Sequence, residues 1–298
     1  MRVVVLGSAN LDLVYGVDRI PAPGETVLAH GCEAFPGGKG NNQAVAAARS
    51  GAEVRFIVAL GRDAAGDRLA AEARGAGIEL LDRRVDAPTG SAVIYVDRRA
   101  ENSIVVNSGA NAELASLTGS ELDAIAAADV LVLQLETPVP TVAEAVREAK
   151  AAGTRVVLNA APSGAVPVDV LSDIDVLVVN EHEAAELAGA AADPMTALTG
   201  HGCAVIITLG AEGALVGLPG AGPVPVPSHK VNAVDTTGAG DAFVGAFAAA
   251  LDGTDLEALV AATGFATTAA AIAVQRKGAV PSMPTLEEVR KFRAAQGI

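Results

Sequence analysis

Short apolar runs of strand length alternate with Ala-rich stretches of helical length through the middle of this 298-residue chain, and no other feature limits the fold as much. The runs lie at residues 2–6 (RVVVL), 54–60, 130–133, 156–158, 176–179 and 205–209, and helical stretches at 42–49, 67–76, 141–152, 181–188 and 194–200 fall between them. A strand that is apolar along its whole length has no face to turn to water, so it belongs inside a sheet covered on both sides. Strands that alternate with helices cross over to run parallel. The pattern therefore predicts an α/β fold with a central, mostly parallel sheet and helices on both faces. Further helices are expected at about 240–251, 255–274 and 285–294.

Two segments break this rhythm. Residues 13–36 carry Tyr15, Val17, Ile20, Val27 and Phe35 with prolines and turn residues between them, and residues 91–107 alternate through Val93, Tyr95, Ile104 and Val106. Both have the period of small antiparallel elements rather than of βα units. They are expected to meet as a small β-sheet lid on a single domain spanning 1–298, since no internal repeat, heptad pattern or linker divides the chain.

Composition removes several classes of function. Hydrophobic residues make up 51% and charged residues 19%, which excludes a disordered chain. A net charge of -14 opposes nucleic-acid binding, and the absence of Trp leaves little to stack on bases. No apolar run approaches the ~18 to 20 residues of a membrane span. The N-terminus has one basic residue before a strand-length run, so a cytoplasmic chain without a signal peptide and without membrane association is expected. Cys32 and Cys203 have no metal-ligand spacing and read as reduced thiols.

The strongest chemical signal is Asp235-Thr236-Thr237-Gly238-Ala239-Gly240-Asp241-Ala242-Phe243, which leads into an apolar helix. Small residues at a helix start expose backbone N–H groups that have no partner within the helix, and the helix dipole adds positive potential there. Such an anion hole, formed by Gly238, Ala239 and Gly240, suits a phosphoryl group in transfer. Asp241 in the first turn is then placed to take a proton from an attacking hydroxyl, although an Asp that merely caps the helix would look the same in isolation. Neither GxxxxGK[ST] nor GxGxxG occurs, and GxSxG and HExxH are also absent.

A second signal is Gly37-Gly38-Lys39-Gly40-Asn41-Asn42-Gln43, where adjacent glycines admit a ligand close to the backbone and amides follow to bond sugar hydroxyls. A plain turn before a helix is the competing reading. A third is Asn10 and Asp12 after the first strand, two residues apart and so on one face, a natural pair for vicinal hydroxyls.

With three further stretches, LQLE at 133–136, VNEHE at 179–183 and TLGAEG at 208–213, these motifs resemble the PfkB-type carbohydrate kinases over essentially the whole chain, and within them the ribokinase branch. The two family signatures stand in order as PGGKGNNQAVAAARSGAEVRFIVALGRDAAGD and DTTGAGDAFVGAF. The resemblance implies a ribokinase-like fold with a lid that closes over the sugar, and ATP with Mg²⁺ as phosphoryl donor. It also implies transfer to the 5-hydroxyl of D-ribose, with a related kinase of another sugar or a nucleoside as the alternative. A catalytically silent sugar-binding protein is a rival that would require neither a base nor magnesium.

Residue by residue, the resemblance implies sugar contacts at Asn10, Asp12, Gly38, Lys39, Gly40, Asn41, Asn42 and Glu136, beside Asp241 as base. Thr208, Leu209, Gly210, Ala211, Glu212 and Gly213 match a nucleotide-binding loop, joined by Gly240, Asp241 and Asn180. Asn180 and Glu183 match an NxxE pattern associated with the magnesium network. Asp235, Thr237, Ala273, Gly278 and Ser282 match a site for an activating potassium ion, and a homodimer through the lid is implied as well. Asn41 stands where ribokinases usually carry a small residue, and it would either extend the sugar network or turn outward.

Overall fold

Strand β1 (Arg2–Leu6) sends alternate residues into two cores, Val3 and Val5 on one side and Val4 and Leu6 on the other. Only a sheet covered on both faces accommodates such a strand. The computed structural model describes residues 1–99 and 101–297; residues 100 and 298, which the expected lid and domain ranges include, lie outside the described residues.

From β1 the chain leaves the main sheet for β2 (Asn10–Gly16) and β3 (Gly31–Gly37). It returns through α1 (Lys39–Arg49) to β4 (Glu53–Gly61) and runs through α2 (Ala64–Gly75) to β5 (Glu79–Val85). A second excursion forms β6 (Gly90–Val96) and β7 (Asn102–Asn107). Helix α3 (Gly119–Ala126) then leads to β8 (Val130–Leu133), α4 (Val139–Ala152) to β9 (Arg155–Asn159), and α5 (Val168–Asp173) to β10 (Val176–Asn180). Helices α6 (Glu181–Ala188) and α7 (Pro194–Thr199) precede β11 (Ala204–Thr208), and β12 (Gly213–Gly217) and β13 (Val224–Pro227) complete the sheet. Helices α8 (Ala239–Ala250), α9 (Leu256–Ala273) and α10 (Leu286–Gln296) end the chain.

The main sheet has nine strands in the order β13-β12-β11-β10-β9-β8-β1-β4-β5. Its pairings are parallel except β11 with β12 and β12 with β13. One core lies beneath α1, α2, α8, α9 and α10, and the other beneath α3 to α7. Helices therefore cover both faces, as the alternation of runs requires. Helix α9 corrects one expectation. Its 18 residues are apolar enough to cross a membrane by length and composition, although more than half of that stretch is buried. Leu259, Ala262, Ala266, Ala269 and Ile272 pack into the first core, so its apolar character is that of an interior helix.

The second sheet, the lid, has four strands in the order β3-β2-β6-β7. Its central pair, β2 with β6, is parallel, which departs from the small antiparallel elements expected; β2 with β3 and β6 with β7 are antiparallel. A parallel pair needs a long crossover, and here α1, β4, α2 and β5 supply it within the main domain. The lid begins at Asn10, so Asn10 and Asp12 ride on a lid strand.

Parallel strands bring their C-terminal ends to one edge of the main sheet, where ligands of open α/β folds bind. Ser8 follows β1, Gln134 and Glu136 follow β8, and Asn159, Asn180 and Thr208 end β9, β10 and β11. These residues stand together at that edge of the main sheet.

Candidate active site

Helices α1 and α8 meet closely because Gly245 has no side chain: a Cβ there would stand 2.4 Å from the Gln43 carbonyl oxygen and 2.5 Å from the Ala46 Cβ. This contact sets the start of α1 against the start of α8. Asn42 Nδ2 then donates to Asp241 Oδ2 at 2.9 Å, and Gln43 Nε2 donates to Asp241 Oδ1, also at 2.9 Å. Both amides and the carboxylate are buried.

Asp241 sits where the sequence suggested, in the first turn of α8. Gly238 holds the left-handed conformation, φ 74°, that turns the chain into the helix. Ala239 N–H donates to the Thr236 carbonyl and Ala242 N–H to that of Gly238. The N–H groups of Gly238, Gly240 and Asp241 have no carbonyl partner among the described residues, so of the expected Gly238 to Gly240 stretch only the Ala239 N–H is engaged, and Asp241 adds a further open donor. Burial pushes the Asp241 carboxyl above its ordinary value and Glu136 adds to this, while Lys39 and the Asn42 and Gln43 amides oppose the rise.

Around Asp241 the polar pocket assembles from three elements. Asp12 on β2 lies close enough to feel the charges of Glu136 and Asp241; burial first, and then these charges, push its carboxyl up to about 7. Asn10 is buried, and its Oδ1 accepts from Asn111 Nδ2 at 2.8 Å. Asn111 Oδ1 in turn accepts from the Ala9 N–H at 3.0 Å. A backbone N–H cannot reverse, so this chain fixes the Asn10 amide with its NH₂ as the remaining donor. Asn10 and Asp12 thus offer a donor and an acceptor from one face of a strand.

Glu136 does more than the sequence suggested. Its Oε2 accepts from the Lys39 N–H at 3.0 Å and from the Ser8 hydroxyl, so it caps the start of α1 from a distant loop. Ser8 also accepts from the Gly40 N–H at 3.3 Å, and its carbonyl accepts from the Asn41 N–H. Asn42 Oδ1 is buried and has no hydrogen-bond partner among the described residues. Asn41 turns away: it lines a separate cavity of about 360 Å³ with Pro36, Val45, Arg49 and Glu72. It does not line the polar pocket around Asp241, because residue 41 is turned about the axis of α1 away from the Asn42 amide.

A second cavity, about 500 Å³, begins at Thr208, Gly210, Ala211 and Gly213 and ends at Ala239 and Gly240, one residue from Asp241. Leu209 and Glu212 do not line it; Leu209 packs against the second core and Glu212 is exposed. Its other wall was not foreseen. Ser228, His229, Lys230 and Val231 form one side, and Phe243, Thr267, Ala270, Ala271 and Val274 line the floor. His229 is fixed there by Thr268 Oγ1 at 2.9 Å and by the edge-on ring of Phe292 at 5.0 Å between centroids. Ser8, Gln43, Asn111, Gln134 and Asn159 were likewise missed, and only Gln43 and Gln134 stood inside a recognised motif.

Asn180 and Glu183 form a reciprocal cap on α6. Asn180 Oδ1 accepts from the Glu183 N–H at 2.8 Å, and Glu183 Oε2 accepts from the Asn180 N–H at 2.9 Å. Asn180 does not line the 500 Å³ cavity. Glu183 Oε1 has no protein partner among the described residues. No group of three His, Cys, Asp or Glu side chains among the described residues could hold a metal ion alone.

At the potassium positions, Asp235 joins two segments. Its Oδ1 accepts from the Thr237 N–H at 2.9 Å and its Oδ2 from the Gly278 N–H at 2.8 Å. Burial pushes its carboxyl upward, but those N–H groups and the Lys277 charge outweigh it and hold the group below its ordinary value. Ser282 is fully buried, and its hydroxyl donates to the Ala279 carbonyl at 2.7 Å. One carboxylate among carbonyls and a hydroxyl is a donor set that fits a weakly hydrated monovalent cation.

A doubly covered α/β sheet with a β lid, a buried carboxylate at a helix start and a deep cavity ending at the same turn define an ATP-dependent carbohydrate kinase. The sequence model described as pfkB family carbohydrate kinase matches residues 1–286, and the chain belongs to that family. It is 38% identical over 305 residues to ribokinase from Staphylococcus aureus (strain COL), covering 97% of this chain and 99% of that one. It is 40% identical over 299 residues to ribokinase from Haemophilus influenzae, covering 97% of each. The crystal structure of ribokinase from Thermotoga maritima superposes with a TM-score of 0.89 at 37% identity, covering 98% of this chain and 99% of that one. Arabidopsis thaliana ribokinase complexed with ribose and ATP gives 0.89 at 31% identity over 98% of each chain.

Proposed function

We propose that this enzyme transfers the γ-phosphoryl group of ATP to the 5-hydroxyl of D-ribose, giving D-ribose 5-phosphate. The observation that carries the proposal is a juxtaposition: the 500 Å³ cavity ends at Gly240, and the next residue, Asp241, turns its carboxylate into the pocket of Asp12, Asn42 and Glu136. Nucleotide and sugar would meet across one turn of backbone. The names of the ribokinase relatives agree with a pentose in the polar pocket.

In this reading Asp12 accepts hydrogen bonds from vicinal sugar hydroxyls, Asn10 donates to one of them, and Asn42 Oδ1 accepts another. Asp241 takes the proton of the attacking hydroxyl while the open N–H groups of Gly240 and Asp241 hold the transferring phosphoryl oxygens. Proximity does much of the work, because both reactants are held in line at one helix start. Magnesium would arrive on the ATP phosphates, keeping most of its waters, with Glu183 Oε1 within its water network; it would neutralise phosphate charge. Closure of the lid would exclude water, a competing nucleophile.

Potassium would be held by Asp235 with Ser282 and carbonyls of the Ala273 to Gly278 segment, and would fix the loop that presents the anion hole. Replacing potassium by sodium in the assay should then lower kcat more than it raises KM for ATP. Equal kcat in both salts contradicts that site.

A coupled ADP-release assay across pentoses, hexoses, deoxysugars and nucleosides tests the function. Ribose is expected to give the highest kcat/KM, because a site built to bond hydroxyls discriminates strongly against analogues that leave its groups unpaired. Turnover of another sugar or of adenosine with none of ribose would refute the substrate while leaving the carbohydrate kinase family intact.

A further inference from the structure

Beneath Asp241 a line of buried amides runs back into the sheet, and its polarity is fixed at one end. Asn159 Nδ2 donates to the Val178 carbonyl of β10 at 3.1 Å. A backbone carbonyl only accepts, so Asn159 must turn its Oδ1 away from it, toward Gln43. Gln43 Nε2 donates to that oxygen at 3.0 Å and to Asp241 Oδ1 at 2.9 Å, which uses both hydrogens of its NH₂. The Gln43 Oε1 left over accepts from Gln134 Nε2 at 2.7 Å. Asn159 and Gln43 each have one orientation that satisfies their neighbours, while Gln134 donates to Gln43 with its own Oε1 buried and without a partner among the described residues. Gln43 is fully buried and Gln134 is 1% exposed, so bulk solvent does not reach either amide.

Resting on the reading of Asp241 as general base, we infer that Gln43 is a positioning residue that keeps the Asp241 carboxylate ionised and aimed, with its amide locked in the donating orientation by Asn159 and Gln134. A reversed Gln43 amide would present an oxygen to Asp241, and a carboxylate facing an acceptor is stabilised in its protonated form. A protonated Asp241 cannot accept the substrate proton. The backbone carbonyl of Val178 thus decides, through two side chains, the charge state available to the base. Three other charged groups face Asp241: Lys39 from the start of α1, Glu136 from the loop after β8, and Asp12 from β2. Lys39 opposes the upward push of burial and Glu136 reinforces it, as the Gln43 donor opposes it.

The test reads the acid limb of kcat against pH at saturating sugar and ATP, where bound sugar holds Asp12 in one state. Gln43→Met keeps length and removes the donor. Loss of a hydrogen bond to the charged form should move the limb upward by about one to two pH units. The KM for ATP should stay within about twofold, since ATP lies on the other side of Gly240. Gln134→Met removes only the lock on Gln43 and should move the limb the same way by a smaller amount. If Gln43→Met yields no folded protein, the limb of Gln134→Met decides alone. A limb that stays in place while melting temperature falls would reduce Gln43 to a packing residue and overturn the inference. Asp241→Asn serves as the control that separates the two failures. If it retains kcat, the general-base reading itself is wrong; if it loses kcat and the Gln43→Met limb is unmoved, only the positioning role is wrong.

Discussion

Asp12 shows how one carboxylate acquires its chemistry from its neighbours. It shares a partly buried pocket with Glu136 and Asp241, and burial with those two charges pushes it up to about 7. To accept hydrogen bonds from two hydroxyls it must be ionised, so sugar binding should release a proton whenever the pH lies below that value. The sign follows: apparent sugar affinity should be constant above about pH 7 and weaken by up to tenfold per unit below it. Calorimetric titration of sugar between pH 5.5 and 8.5 in buffers of different ionisation heat would read both the affinity and the proton. A pH-independent affinity with no proton exchanged would contradict the assignment. Asp12, Asn42, Glu136 and Asp241 could be singled out in the sequence because they stand inside motifs, and the fold brings these four together. Asn111 and Asn159 were not, because each acts by fixing the polarity of another amide across more than 100 residues of chain. Nothing local marks them.

At the scale of elements, the site depends on how closely α1 and α8 approach. Gly245 permits that approach, and a Cβ at this position meets the backbone of Gln43 and Ala47 as well as the Ala46 side chain. Gly245→Val should therefore lower stability by about 1 to 3 kcal/mol, the usual cost of overpacking a core. By moving α1 it should also separate Asn42 and Gln43 from Asp241, so kcat should fall in the protein that remains folded. Thermal melts with kcat measured well below the melting temperature check both effects, and a stable, fully active Gly245→Val would show that the contact is not needed. Element boundaries were less legible than element types. Helix α1 begins at Lys39 rather than 42 because its first N–H groups bond Ser8 and Glu136, which are 31 and 97 positions away from Lys39, not a local cap. Strand β2 begins on polar residues, Asn10 and Asp12, that serve the site and break the apolar pattern of a strand. Strands β5, β12 and β13 escaped notice because β5 carries Asp82, Arg83 and Arg84, β12 has only three apolar residues between its end glycines, and β13 is interrupted by Pro.

The whole molecule places an exposed apolar strand at one edge of the lid. Ile104, Val105 and Val106 of β7 are 53%, 63% and 52% exposed, so both faces of that edge strand present apolar side chains to solvent. Edge strands of soluble proteins are usually shortened, charged or covered, which supports the expected homodimer through the lid. Val105→Lys is expected to lower the molar mass seen by size-exclusion chromatography with light scattering from two chains to one; an unchanged dimer would place the interface elsewhere. The main sheet was legible as a whole because burial on both faces forces uninterrupted apolar strands. The far wall of the 500 Å³ cavity was not, since residues 228–231 are ordinary loop residues that matter only where the fold brings them opposite Gly210 and Gly213.

The central claim is that Asp241 is the base, and kcat of Asp241→Asn at saturating ribose and ATP tests it most directly. The amide keeps the size of the side chain, gives its oxygen to one of the Asn42 and Gln43 donors, and has no basicity. General-base catalysis is worth about 10²- to 10⁴-fold, or on the order of 3 to 5 kcal/mol of barrier. The account predicts a fall in kcat of at least about a hundredfold, with ribose still bound in calorimetry and the fold intact by circular dichroism. A folded Asp241→Asn enzyme with kcat near that of the unmodified protein would contradict it and leave Asp241 as a helix cap.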